Sequence, residues 1–311
     1  MFASPQSSRA AIANRLLATL LLAADMSPSA AEDGGAGTFR MSVGQEVSAG
    51  GMVRVQKRDP GLIGGGNGGT GTSINYDDGN LNYGRGFTAI AAQGRIILDG
   101  KSETIEVKVE AVYFYDFVNA SGDTEFHPLS EEARDRAGRN LYLNEAYAGF
   151  RGRISDASIG VRLGNQILRW SDSPSFGYSI APVNPVSASR RYQPGNTSSD
   201  SYVALPMLSA KFESAGKWNL QGFYLFGFEP TETEASGTFL SGNDYYSPGG
   251  RYIQLGEGSA LVPDRDASVV VPSSRTAQFG SRVPRAGDRV PGSGGQFGAR
   301  QIGRASCRER V

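Results

Sequence analysis

The sequence predicts an all-β chain: the N-terminal portion of an antiparallel transmembrane β-barrel, with long loops and one short loop helix. Three observations predict it. Apolar and charged residues alternate with period two in several segments, which puts them on opposite faces of a strand, whereas a helix would scatter them around its circumference. The 311 residues include 42 Gly and 15 Pro, an excess that favours turns and strands over long helices. The alternating segments are also longer than the soluble strand of about 5–6 residues and suit tilted membrane strands of about 9–11.

Residues 1–31 read as a secretory signal peptide. Arg9 and Arg15 give a positive start, Leu16 to Ala24 an apolar core, and Ser29-Ala30-Ala31 a small-residue site for cleavage before Glu32. Weaker strands are expected at 38–44, 47–57, 86–98 and 141–153. The strongest lies at 103–117. There Ile105, Val107, Val109, Ala111, Tyr113 and Tyr115 share one face, and Glu106, Lys108, Glu110 and Asp116 the other. The same pattern sets Ile159, Val161 and Leu163 against Arg162 and Gln166 within 158–170. It sets Leu208, Ala210 and Phe212 against Ser209, Lys211 and Glu213 within 203–213, and Trp218, Leu220 and Tyr224 against Asn219 and Gln221 within 217–229.

Short turns at Ser155-Asp156 and Ala215-Gly216 alternate with long irregular stretches at 58–85, 119–140, 171–201 and 230–275. That is the habit of outer-membrane barrels, with short turns on the periplasmic side and long loops outside. Within one loop, 129–138 reads as a short helix with Ser130 as its N-cap. The last ten residues, 302–311, read as a translated sequencing adapter. They carry the single cysteine, Cys307, and are set aside. The barrel domain is therefore 32–301, a thiol-free and slightly acidic body.

These features exclude several classes. No apolar run approaches the ~20 residues of a membrane helix, and one cysteine makes no disulfide framework. The 31 basic and 31 acidic residues exclude a strongly basic nucleic-acid binder. Gly64 to Gly69 fits G-x-G-x-x-G, but no helix pattern follows to hold a pyrophosphate, so a mobile loop is expected. Asn75, Asp77, Asp78 and Asn80 form an oxygen-rich cluster without the Gly and Glu spacing of a calcium loop, and Asx turns account for it. His127, the lone histidine, stands in an exposed loop with no serine in a nucleophile-elbow context. No catalytic residue, metal or cofactor is expected, and the chain is not expected to be an enzyme. In the barrel reading Glu106, Lys108, Glu110, Arg162, Gln166 and Lys211 would line the lumen and set its electrostatics. A soluble β-sandwich with one wet face shares the alternation and stays open at this point.

Several segments resemble the uncharacterised proteobacterial outer-membrane family DUF1302. They are Arg58-Asp59-Pro60, the Asp77-Asp78-Gly79-Asn80-Leu81-Asn82-Tyr83 run, Phe114 to Asn119, Arg162 to Trp170, Asn184-Pro185, Gly222-Phe223-Tyr224, Asn243-Asp244 and Gly295 to Gly298. Asn165 stands where the family usually has Arg, and Ser171-Asp172-Ser173 where it has Gly-Glu-Ser. Such chains usually continue for about as long again. The resemblance implies a porin-like channel or transporter for hydrophobic or small organic compounds, with Asp77, Asp78 and Asn80 in a family-motif loop and with envelope export components as partners. The barrel reading adds outer-membrane lipid, lipopolysaccharide and the barrel assembly machinery, and no nucleic acid. A surface adhesin or ligand-binding β-protein, and an outer-membrane hydrolase using His127, are the alternatives.

Overall fold

The computed structural model describes residues 39–170, 183–214, 218–254 and 282–302. The expected leader, the expected turn at 215–216 and nearly all of the tail set aside above lie outside them. Eight strands form one antiparallel sheet: β1 (Arg40–Arg54), β2 (Gly86–Lys101), β3 (Ile105–Asp116), β4 (Arg139–Ile154), β5 (Ala157–Gln166), β6 (Leu205–Ser214), β7 (Trp218–Leu225) and β10 (Gln296–Ile302). Their order is β1-β2-β3-β4-β5-β6-β7-β10, so each strand but the last pairs with its neighbour in sequence. β8 (Tyr252–Gln254) and β9 (Arg282–Pro284) form a separate two-stranded ribbon. The class is all-β, with three short helices: α1 (Asp78–Leu81), α2 (Glu131–Ala137) and α3 (Ala188–Arg191).

Seven of these strands lie on the alternating segments, because period two is the only periodicity those residues offer. The segments at 38–44 and 47–57 are one strand. Gln45 and Glu46 stay paired with Ile96 and Arg95, so no turn divides them. β10 was not expected. Its sequence shows little alternation, and it is a strand because β7 supplies the ladder from Leu225↔Gln296 to Asn219↔Ile302. Ile302, the first residue of the tail set aside above, closes that strand. Ser155 takes a φ of 55°, the left-handed conformation that the tight β4–β5 turn demands. α2 forms where expected, and the Ser130 side chain accepts from the Ala133 N–H.

Residues directly opposite in an antiparallel ladder share a face, so the register sorts the sheet into two surfaces. One carries Met41, Val43, Val47, Leu98, Ile105, Leu143, Phe150, Ile154, Leu163, Trp218 and Phe297, all exposed. The other carries Glu46, Arg95, Glu106, Lys108, Glu110, Glu145, Arg162, Gln166 and Lys211, of which Glu106, Glu110 and Gln166 are buried. The ordinary arrangement is reversed: the apolar face is bare, and the buried side chains lie on the charged face. Among the described residues, buried apolar side chains form only two small clusters, Leu129 with Ala133 and Ala235, and Leu205 with Met207 and Leu225. Both lie toward the end of the sheet where the long loops emerge.

Candidate functional site: the polar face of the sheet

The polar face divides into three charge groups. In the middle, Arg95 lies 2.9 Å from Asp200, 3.4 Å from Glu110 and 3.7 Å from Glu46. Lys108 continues the chain to Glu110 at 3.0 Å and Glu145 at 2.5 Å. A β-bulge at Glu110/Ala111 lets Asn144 point inward beside Glu145 and donate to Glu110 at 2.8 Å. Toward the short turns, Glu106 is shared by Arg162 at 2.5 Å and Arg151 at 3.5 Å. Further along the sheet Lys211 pairs with Glu213 at 2.8 Å. Gln166 is a brace: it donates to the Met207 carbonyl and accepts from Ser209.

The six expected lining residues therefore share one face but not one role. Glu106, Glu110 and Gln166 are buried among partners and hold neighbouring strands together, while Arg162 and Lys211 stay about half exposed. Arg95, Glu145, Arg151 and Asp200 were not singled out. Arg95 sits in an expected strand between Gly94 and Ile96, where its parity alone could have flagged it. Asp200 sits in a loop, and nothing local marks it.

The segment 183–204 folds back over this face. Ser48 donates to the Pro194 carbonyl at 2.6 Å. Gln93 donates to Asn196 at 2.7 Å, and Arg95 donates to both Asn196 and Asp200. The Arg190 guanidinium lies 3.8 Å from the centre of the Tyr142 ring. Burial raises the Asp200 pKa, but hydrogen bonds from the Thr197 hydroxyl and N–H and from Arg95 outweigh it, holding the carboxyl below its ordinary value.

At the loop end, the Asp77 to Tyr83 run fastens the long loops to one another. Asn75 donates to the Gln254 carbonyl and accepts from its N–H, at 3.0 and 2.7 Å, mimicking a strand pair. Asp77 accepts from Gly64 N–H at 2.7 Å and from the Asn67 amide. Asp78 meets His127 Nδ1 at 3.0 Å. The Asn80 side chain accepts from Arg54. Asn82 reaches the Gly237 carbonyl and the His127 N–H. Tyr83 donates to Asn119 at 2.6 Å, and burial, then the nearby Asp116 charge, raises its pKa so that the phenol stays protonated.

Two expectations are corrected here. The Gly64 to Gly69 run is a packed turn and not a mobile loop: a Cβ at Gly64 would stand 2.5 Å from Ile74, and one at Gly69 would stand 2.1 Å from the Ile63 carbonyl. His127 is not an exposed side chain. It is half-buried, bonded to Asp78, and lies beside a cavity of about 250 Å³. Two serines line that cavity, and both hydroxyls are engaged, Ser130 as the helix cap and Ser236 with the Asp244 carbonyl. Asp77, Asp78 and Asp244 bring carboxylate oxygens within 4.8 Å of one another. Asp77 serves Gly64 and Asn67, Asp78 serves His127, and Asp244 accepts from the Asp77 N–H, so the trio acts as a set of acceptors that tie the long loops together.

An antiparallel sheet with a bare apolar face and a partly buried, ion-paired polar face defines an all-β chain built around its polar side. The chain belongs to the family described as "Protein of unknown function (DUF1302)", whose model matches residues 11–305. No curated protein and no solved structure matches it.

Proposed function

We propose that this chain is wall from an outer-membrane β-barrel and acts as a passive channel or transporter for small organic solutes. The observation that carries the proposal is the reversed sheet. Apolar patches on soluble monomers rarely exceed a few hundred Å², yet here one face of eight strands is mostly apolar and largely exposed. Lipid is the solvent that suits such a face, and a closed sheet is the only one that satisfies its backbone in hydrocarbon. Aromatics support the same reading. Tyr115, Phe117, Tyr224, Phe226 and Phe297 gather at the loop end and Phe39, Phe150 and Trp218 toward the turn end, as in the two interfacial girdles of a barrel.

In this reading outer-membrane lipid and lipopolysaccharide contact the apolar face, and the signal peptide and the barrel assembly machinery deliver the chain there. The polar face is the lumen, and the 183–204 segment narrows it. The protein performs no chemistry. Reconstitution of the intact protein into planar bilayers tests the proposal, with solute-dependent conductance as the expected result. No conductance and no solute flux, with retained ligand binding, would favour a surface-binding protein and overturn the channel. The protein should fractionate with outer membranes and run heat-modifiably on gels, and recovery in the soluble periplasm would count against the location.

A further inference from the structure

The polar faces of five consecutive strands, β3 to β7, line an open cleft of about 790 Å³ near the short turns. Its charged lining is Arg151, Arg153, Arg162 and Lys211 against Glu103, Glu106 and Glu213. This leaves one cation in excess. The pairing is also uneven. Arg151 and Arg162 both meet Glu106 through Nε, so a single carboxylate serves two guanidiniums by their inner edges. Among the described residues, the terminal nitrogens of Arg162 meet no oxygen acceptor, the guanidinium resting 4.9 Å from the centre of the Tyr147 ring, and Arg153 has no carboxylate within ion-pair distance.

Two glycines shape the place. Gly149 lies between Glu106 and Arg162 in the register, and a Cβ there would stand 2.7 Å from Glu106 Cγ and 3.1 Å from Arg162 Cγ. Its missing side chain is what lets Arg162 cross a strand to reach Glu106. Gly160 lies between Arg151 and Lys211, and nothing comes within 4 Å of where its Cβ would be. The result is an open floor with a cation on each side. Leu168 adds an apolar wall to the same cleft.

We infer that this cleft is a binding station for a small organic monocarboxylate. A guanidinium held by its Nε presents its terminal N–H pair as a fork, the geometry that receives a carboxylate with two parallel hydrogen bonds. One excess positive charge balances one negative charge, and this favours a monocarboxylate over a phosphate dianion. Leu168 suits an apolar body behind the carboxylate. The inference deepens the channel reading by naming its solute class, and it rests on that reading only in taking the cleft as part of the lumen.

Benzoate is a suitable probe. Equilibrium dialysis against the full chain in detergent should show saturable binding, weakened at least tenfold by Arg162→Gln and by Arg153→Gln. Arg162→Gln leaves the buried Glu106 with one partner fewer and puts folding at risk, whereas Arg153 has no such tie. Gly160→Val gives a further check, because it fills the floor while suiting a strand and should abolish binding in a folded sheet. Inorganic phosphate and chloride at equal concentration should compete poorly. Absent binding, binding unmoved by Arg153→Gln and Gly160→Val, or equal displacement by chloride would overturn the station. Arabinose flux through wild-type proteoliposomes is measured in parallel. Flux without arginine-dependent benzoate binding sinks the station and leaves the channel. Binding with flux of neither arabinose nor benzoate sinks the channel and leaves the station.

Discussion

The two ends of the sheet handle polar groups in opposite ways. At the loop end, Asn75, Asp77, Asn82 and Asn119 are buried, and their partners are mostly backbone groups or neutral amides of other loops. At the turn end, Arg151, Arg162, Lys211 and Glu213 are half exposed; Lys211 and Glu213 pair with each other, and the two arginines share Glu106. A buried amide with its donor and acceptor both matched is a fixed joint, costly to break because its partners then lie unsatisfied. A half-exposed ion pair is worth little and yields easily to another ion. The loop end is thus built as a solid and the turn end as a wet, exchangeable surface. Arg95 stands between them, with its side chain 15% exposed and Asp200, Glu110 and Glu46 around it.

Substitutions can break or sharpen this contrast. The largest effect is expected at the junction. Arg95→Gln strips Asp200 and the buried Glu110 of their shared cation, and the loss should reach about 3 kcal/mol of stability. The 183–204 segment should then become open to protease, and single-channel conductance should rise. Unchanged conductance would show that this segment does not narrow the path. Asn75→Ala should cost about 2 kcal/mol, because it removes the Asn75 amide from both the N–H and the carbonyl of buried Gln254. Denaturant unfolding of the purified protein would measure it.

A pH effect should follow in size. Asp200 is held below its ordinary value, so its contribution is present above the unfolded pKa and lost as pH falls through the folded one. Conductance should therefore hold steady through neutral pH and rise only below about 4, near or under the ordinary Asp value. A rise between pH 6 and 8 would contradict the assignment. His127→Ala should cost about 1 kcal/mol, chiefly through the lost Asp78 contact and the ring packing on Phe126, since the Asn82 bond to the His127 backbone survives. Loss of a hydrolytic activity in that variant would revive the enzyme reading. Lys211→Ala should lie within about 0.5 kcal/mol of wild type, and a larger loss would blur the contrast between the two ends.

Much of the sheet was legible in the sequence because a strand's facing is a local property. Ile105 to Tyr115 alternate on their own, whatever their neighbours, and their parity already places Glu106, Lys108 and Glu110 together. β10 was illegible for the converse reason: Gly295 and Gly298 carry no facing information, and only β7 makes the segment a strand. The loops were less legible still. The Asn75–Gln254 joint spans 179 positions, and no window along the chain contains both halves. The Asp77 to Tyr83 run was recognisable as a motif, but its work as a fastener depends on partners at Gly64, Asn119, His127 and Gly237 that local pattern cannot reveal.

The bulge at Asn144 bears on how such a wall can change over generations. Facing has period two, so one residue gained or lost within a strand turns everything beyond it inside out. Removing Asn144 would leave one of two bad outcomes for β4. Either Glu145 keeps its partner and the strand loses the inward amide that meets Glu110, or the register slips, bringing Phe150 inward and carrying Arg151 outward. Within these strands, length variation is therefore tolerable only in pairs of residues or where a neighbouring bulge absorbs the odd one. The connections between strands face no such parity rule.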